Sequence, residues 1–179
     1  MSLRRVLLAV LVPVVVLLVA APAGPAHAVR QEQPPSARLG IPRTYDAAVQ
    51  HIERAVGLLN LRRFQSPSGN LYCAVAVRGL PPACELSAGL IKDPAACGNN
   101  PVSKYVGRVE FLHGRAVPIC NTDTIRTPGA KVLAYGSADH VPGTNIECVM
   151  ETIGVTCINL KRTEGFFLHR GEYVIFNAG

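Results

Sequence analysis

The sequence predicts a small, mainly β domain: an antiparallel sandwich or barrel stapled by disulfides, built on two related cysteine hairpins and preceded by one helix. Three observations point there. Six cysteines follow an opening segment typical of exported proteins. Apolar residues alternate with others in short runs bounded by Gly, Pro and Asn, the period of half-buried strands. One motif also occurs twice, as Asn70-Leu71-Tyr72-Cys73 and Asn145-Ile146-Glu147-Cys148.

Residues 1–28 read as a secretory signal peptide. Arg4 and Arg5 precede an apolar run from Val6 to Ala21, and the segment closes on Ala26-His27-Ala28. A basic start, a short apolar centre and small residues at the cut define such peptides. The run is shorter than the roughly 20 residues that span a bilayer, and Pro13 interrupts it. Cleavage therefore leaves no stable membrane span; an uncleaved anchor and twin-arginine export are the alternatives. Residues 29–43 contain Pro34, Pro35 and Pro42 among polar residues and read as a flexible leader.

Residues 44–60 read as an amphipathic helix. Thr44 is placed to cap it, Val49, Ile52, Val56 and Leu59 share a face, and Asn60 is a stop. From Phe64 the signals are β. Leu71, Cys73, Val75 and Val77 alternate with Tyr72, Ala74 and Ala76, as in a strand with one buried face. Arg78 to Pro82 turns the chain, and Ala83 to Leu86 returns. Lys92 to Lys104, rich in Pro, Gly and Asn, reads as a disulfide-tethered loop. Arg108–Leu112 and Arg115–Ile119 flank His113-Gly114 as a hairpin. Val132–Tyr135 is a short strand, and Asn145–Met150 with Val155–Leu160 a further hairpin. Gly165–His169 and Tyr173–Phe176 follow.

The cysteines are Cys73, Cys84, Cys97, Cys120, Cys148 and Cys157. An even number in an exported chain reads as disulfides. Metal binding would show close C-x-x-C pairs, and the smallest gap here is nine positions. In each hairpin the cysteine numbers sum to an odd value, so the two can face one another across a two-residue loop. Opposed residues of a non-hydrogen-bonded pair lie about 4.5 Å apart between Cα atoms, within a disulfide's reach. The favoured order is 73–84, 97–120 and 148–157, one of the 15 connectivities open to six cysteines.

Phe64-Gln-Ser-Pro-Ser-Gly-Asn-Leu-Tyr-Cys73, Cys120-Asn-Thr-Asp-Thr124, Val132-Leu-Ala-Tyr-Gly136, Gly154-Val-Thr-Cys157 and Gly165-Phe-Phe-Leu-His-Arg170, with Tyr173 and Phe176, carry a resemblance. Residues 64 to 176 resemble a cysteine-rich domain of unknown function common in exported or membrane-anchored actinobacterial proteins. The resemblance implies an extracytoplasmic location and a disulfide framework, and it carries over no catalytic residue. Cys97-Gly-Asn-Asn-Pro101 departs from the aromatic-rich stretch expected near that cysteine.

Charge and motifs exclude several functions. Without residues 1–28 the chain holds 16 Lys+Arg against 12 Asp+Glu, a net charge of +4. The cations are scattered, adjacent only at Arg62-Arg63 and Lys161-Arg162, so the concentrated basic face of a nucleic-acid binder is missing. No H-E-x-x-H, G-x-S-x-G, Walker or dinucleotide motif occurs. Beyond the signal peptide the histidines are His51, His113, His140 and His169. A triad assembled from distant residues would draw on His140 or His169 with Asp123 or Glu172. Asp123 lies in Asn-Thr-Asp-Thr, too few oxygens for Ca²⁺, so a Ser/Thr or Asx turn is expected. Ser66-Pro67-Ser68-Gly69-Asn70 reads as a tight turn, with an oxyanion nest or nucleophilic serine as its sharper alternative. Bridged cysteines are not nucleophiles.

The expectation is a secreted, non-enzymatic binding domain at the cell envelope or outside it, with no cofactor and no metal. Its partner would be an extracellular or envelope protein or polymer. Loops Lys92–Lys104 and Ser137–Gly143 would be its recognition surfaces. A secreted inhibitor of an extracellular hydrolase, using Cys97–Pro101 or Arg78–Pro82, and a hydrolase with a non-standard site are the alternatives.

Overall fold

The structure, a computed structural model, describes residues 39–88, 91–98, 103–120 and 123–177. The signal peptide and most of the leader lie outside these. The first half contains α1 (Tyr45–Glu53), β1 (Gly57–Leu59), β2 (Arg63–Gln65), β3 (Leu71–Ala74), β4 (Ala83–Leu86), β5 (Ile91–Lys92) and α2 (Pro94–Cys97). Then come β6 (Tyr105–Val106), β7 (Arg108–Leu112), β8 (Arg115–Ile119) and β9 (Lys131–Val132). Last are β10 (Ser137–His140), β11 (Ile146–Glu151), β12 (Gly154–Asn159), β13 (Glu164–His169) and β14 (Glu172–Asn177).

These strands make a sandwich, not a closed barrel. One sheet runs β1-β10-β11-β12-β13-β14, the other β8-β7-β4-β3-β2-β9, and β5 pairs β6 apart from both. The two large sheets have the same plan. Each is five antiparallel strands plus an edge strand paired in parallel, β1 on β10 and β9 on β2. Each edge strand leads directly into the opposite sheet, through residues 60–62 or 133–136. The repeated cysteine motif is the centre of a larger repeat.

That repeat is faithful in register. Cys73 faces Cys84 and Cys148 faces Cys157. Each pair is bridged with Cα atoms 4.1 Å apart, the spacing of a non-hydrogen-bonded pair. The carbonyl of Asn70 accepts from Ser87 N–H at 2.7 Å, and that of Asn145 from Leu160 N–H at 2.8 Å. Both bridges point into the gap between the sheets, where Cys84 Sγ lies 3.7 Å from Cys157 Sγ. Around them are Phe64, Leu71, Val109, Phe111, Met150, Val155, Phe166 and Leu168, all buried. Phe111 and Phe166 meet across the gap with centroids 5.2 Å apart at 45°, a tilted aromatic contact. The third bridge, Cys97–Cys120, ties α2 to the end of β8, completing the expected order.

Several expectations need correction. The helix expected over 44–60 ends at Glu53. Thr44 caps it as anticipated, accepting from Ala47 N–H at 3.2 Å. Beyond it, Val56 N–H donates to Gly136 O and Gly57–Leu59 pairs with β10, so sheet pairing overrides the helical stripe. The docking face is Tyr45, Ala48, Val49 and Ile52 against Ile158, Phe167 and Phe176, while Val56 is 88% exposed. The leader does not extend to residue 43 as a free segment: Ile41 packs with that cluster and Arg43 pairs with Glu172 at 2.6 Å. Strand β3 is buried on both faces, because Ile125 and Ala130 cover Tyr72, Ala74 and Ala83. Arg108 and Glu85 anchor that cover. Arg108 pairs with Glu110 at 2.6 Å, and Glu85 accepts from Thr124 Oγ1 and Ile125 N–H at 2.5 and 2.7 Å.

Two expected recognition loops are also more structured. Ser137–His140 of the 137–143 stretch is strand β10, because it bridges β1 and β11. Lys92–Lys104 begins in β5 and continues into α2, capped by Asp93; residues 99–102 lie outside the described chain. Asp93 also accepts from Tyr173 Oη. That hydroxyl holds the Asp93 carboxyl below its usual range, while burial and Asp93 push Tyr173 up to about 12.

Asp139 breaks the symmetry of the two sheets. It faces Cys148 as Phe64 faces Cys73, so it occupies a core position, 1% exposed. Its Oδ1 accepts from Leu61 N–H at 2.5 Å, clamping the first crossover. Oδ2 has no hydrogen-bond partner among the described residues. Burial raises its pKa to about 6, opposed by the Leu61 N–H and by His140.

Two outcomes are expected. Replacing both Cys148 and Cys157 by Ala opens a loop of nine-residue separation and lowers unfolding free energy by about 3 kcal/mol in urea titrations; an unchanged midpoint contradicts this. Because the folded pKa of Asp139 exceeds its unfolded value of 3.8, its contribution is most favourable below pH 4 and is lost as pH rises to about 6. Asp139→Asn keeps the Leu61 bond and removes the charge. The stability difference between variant and parent should therefore grow by on the order of 2–3 kcal/mol across that window and stay flat above it. A pH-independent difference refutes the assignment.

Candidate functional site

The Ser66-Pro67-Ser68-Gly69 stretch turns the chain between β2 and β3. Ser at the first position, Pro at the second and Gly at the fourth suit a type I turn, closed by Gly69 N–H to Ser66 O at 2.9 Å. Gly69 has φ +70°, open to residues without Cβ. Ser66 is buried; its Oγ accepts from Leu71 N–H at 3.1 Å and lies 3.0 Å from Ser68 Oγ. Asn70 Oδ1 accepts from Ala88 N–H at 2.9 Å, and Arg126 donates to Gly69 O at 2.5 Å and to Ser87 Oγ. The corner is fixed from several directions.

The same corner also walls a pocket. Ser66, Ser68 and Asn70 meet Tyr135, Glu151, Thr152, His169 and Arg170 around about 230 Å³ at one end of the sandwich. Thr152 belongs to the tight β11–β12 turn, His169 ends β13 and Arg170 opens the β13–β14 turn. Glu151 is held from behind by His51, on the buried face of α1, with Nδ1 2.6 Å from Oε2. The pocket is therefore lined by hydroxyls, an amide, a phenol, an imidazole and both signs of charge.

Among the described residues neither Ser66 nor Ser68 is hydrogen-bonded to a histidine; their hydroxyls serve each other and the backbone. The triad candidates do not assemble. His140 lies 3.3 Å from Glu147 on the outer face, away from the serines. His169 reaches the pocket and faces Glu172 in register, but that carboxylate is on Arg43. Asp123 is 80% exposed near Arg108. The turn expected there forms one residue on, where Thr124 Oγ1 accepts from Arg126 N–H at 3.1 Å. His113 occupies a turn at φ +52°. Cys84, Cys148 and Cys157 bring three sulfurs together, but all are bridged, and a disulfide offers no thiolate to a metal.

Sequence reasoning singled out Ser66–Asn70 and His169 and missed His51, Tyr135, Glu151 and Arg170 as parts of one site. His51 and Glu151 are 100 residues apart, and no local pattern links them.

Compared with known proteins, the chain matches no family model, no curated protein and no solved structure.

Ser66→Ala leaves the buried Leu71 N–H without its acceptor and should destabilise the domain by about 1–3 kcal/mol. Ser68→Ala, at an exposed hydroxyl, should change it by less than about 0.5 kcal/mol. Chemical denaturation of both variants checks the order; equal effects would show that the turn does not depend on Ser66.

Proposed function

We propose that this protein is a non-enzymatic binding domain of the cell envelope or extracellular space, which holds a polar group of its partner in the Ser66–Asn70 pocket. The observation that carries the reading is the pocket's construction. Its walls come from three tight turns and the β9–β10 crossover, all held by the disulfide-braced sheets, and its two serines are committed to turn bonds. Rigid frames that present polar groups on loop ends suit recognition, and preorganised side chains lose little entropy on binding.

The bridges and the opening segment support this location. Three disulfides and no free cysteine among the described residues suit an oxidising, extracytoplasmic compartment. No helix of the described residues is long and apolar enough to cross a membrane. Export through a cleaved signal peptide, and kinship with exported actinobacterial domains, belong to the same proposal and rest on the sequence. An inhibitor of an extracellular hydrolase is the second reading. It is favoured by one feature: Arg78-Gly79-Leu80 is exposed between strands joined by Cys73–Cys84.

The test is retention on immobilised envelope polymers and extracellular proteins. Retention by the oxidised protein should fall at least tenfold in Tyr135→Ala and Arg170→Ala, whose side chains line the pocket without supporting the core. Ser68-dependent turnover of ester, peptide or glycoside substrates would overturn the non-enzymatic reading, and protease inhibition lost with Arg78→Ala would favour the second one.

A further inference from the structure

Arg62 and Arg63 line one pocket with a third cation, Lys131, that the sequence keeps far away. Parallel pairing of β2 with β9 sets Lys131 beside Phe64. Residues Asn60–Arg63 then face Thr127–Lys131 across a pocket of about 250 Å³. Among the described residues no acidic side chain lines it. Among the described residues none of the three cations has an ion pair, whereas Arg43, Arg108 and Arg115 each have a carboxylate. Arg63 is steadied by a bond from Nη1 to Thr127 Oγ1 at 3.3 Å, and its Nε is buried with no hydrogen-bond partner among the described residues. An unmet donor on a charged group is costly when buried.

We propose that this pocket binds a phosphate group through Arg62, Arg63 and Lys131. One bidentate guanidinium saturates a carboxylate, whereas a tetrahedral phosphate offers oxygens to several donors from different directions. Two planar forks and one ammonium point charge match the latter. Leu58, Leu59 and Val132 are exposed on the neighbouring strands β1 and β9. The group can therefore arrive as a lipid headgroup, with these side chains against the acyl boundary, or as free or polymer-borne phosphate. The site is separate from the Ser66–Asn70 pocket and does not depend on it.

Inorganic phosphate is titrated into the oxidised, ¹⁵N-labelled protein at low ionic strength, followed by amide shifts. Saturable shifts confined to residues 60–63 and 127–132 are expected. The double variant Arg62→Gln/Lys131→Gln should weaken binding at least tenfold with unchanged thermal unfolding. Lys161→Gln/Arg162→Gln, which removes the same charge elsewhere, should change it less than twofold. No saturable shift, or equal weakening in both doubles, overturns the proposal. Cosedimentation with phosphatidylglycerol but not phosphatidylcholine vesicles, lost in the pocket double, assigns the headgroup as the source. Phosphate binding without sedimentation assigns free or polymer-borne phosphate. Sedimentation that survives the pocket double overturns the site.

Discussion

Two disulfides in contact at the centre of the sandwich are the constraint on which the rest depends. Cys73–Cys84 staples one sheet, Cys148–Cys157 staples the other, and their sulfurs meet 3.7 Å apart. Each bridge locks a hairpin register, and a one-residue slip would turn every core side chain of that strand outward. Bringing the two bridges together also matches the registers of the sheets to one another. The domain contains no tryptophan and few aromatics, so the bridges supply order that a larger apolar core would otherwise provide.

From that centre the molecule repeats itself. Both sheets place a cysteine hairpin in the middle, a second hairpin on one side and a crossover strand on the other. The exchange of edge strands means that each sheet is completed by the segment leading into its counterpart. Asp139 marks where the repeats diverge. Where one sheet buries Phe64, the other buries a carboxyl that takes the Leu61 N–H of the crossover. A core aromatic has been exchanged for a polar clamp that titrates within a mild acid range.

Both candidate binding sites lie where the sheets stop. The Ser66–Asn70 pocket gathers three turns and the β9–β10 crossover at one end, and the Arg62–Lys131 pocket lies beside the parallel edge strands. Both take their polar groups from turns and strand ends that the core holds still. This division suits a protein whose interior is devoted to rigidity.

The local signals of the sequence determined the hairpins, the Thr44 cap and the mainly β class, and they favoured, without fixing it, the disulfide order that the structure shows. Each is a short-range matter: alternation of period two, turn residues at fixed offsets and cysteines in opposed register. Tertiary structure decided the rest. Helix α1 ends early because Gly57–Leu59 finds a strand partner some 80 positions away, Gly57 opposite Ser137. Ser137–His140 is a strand, despite its loop-like composition, because neighbours on both sides pair with it. His51 with Glu151, and Arg62-Arg63 with Lys131, come together only through sheet pairing and helix docking. Spacing along the chain records neither, because contacts across a sandwich join residues by position in space and not by period.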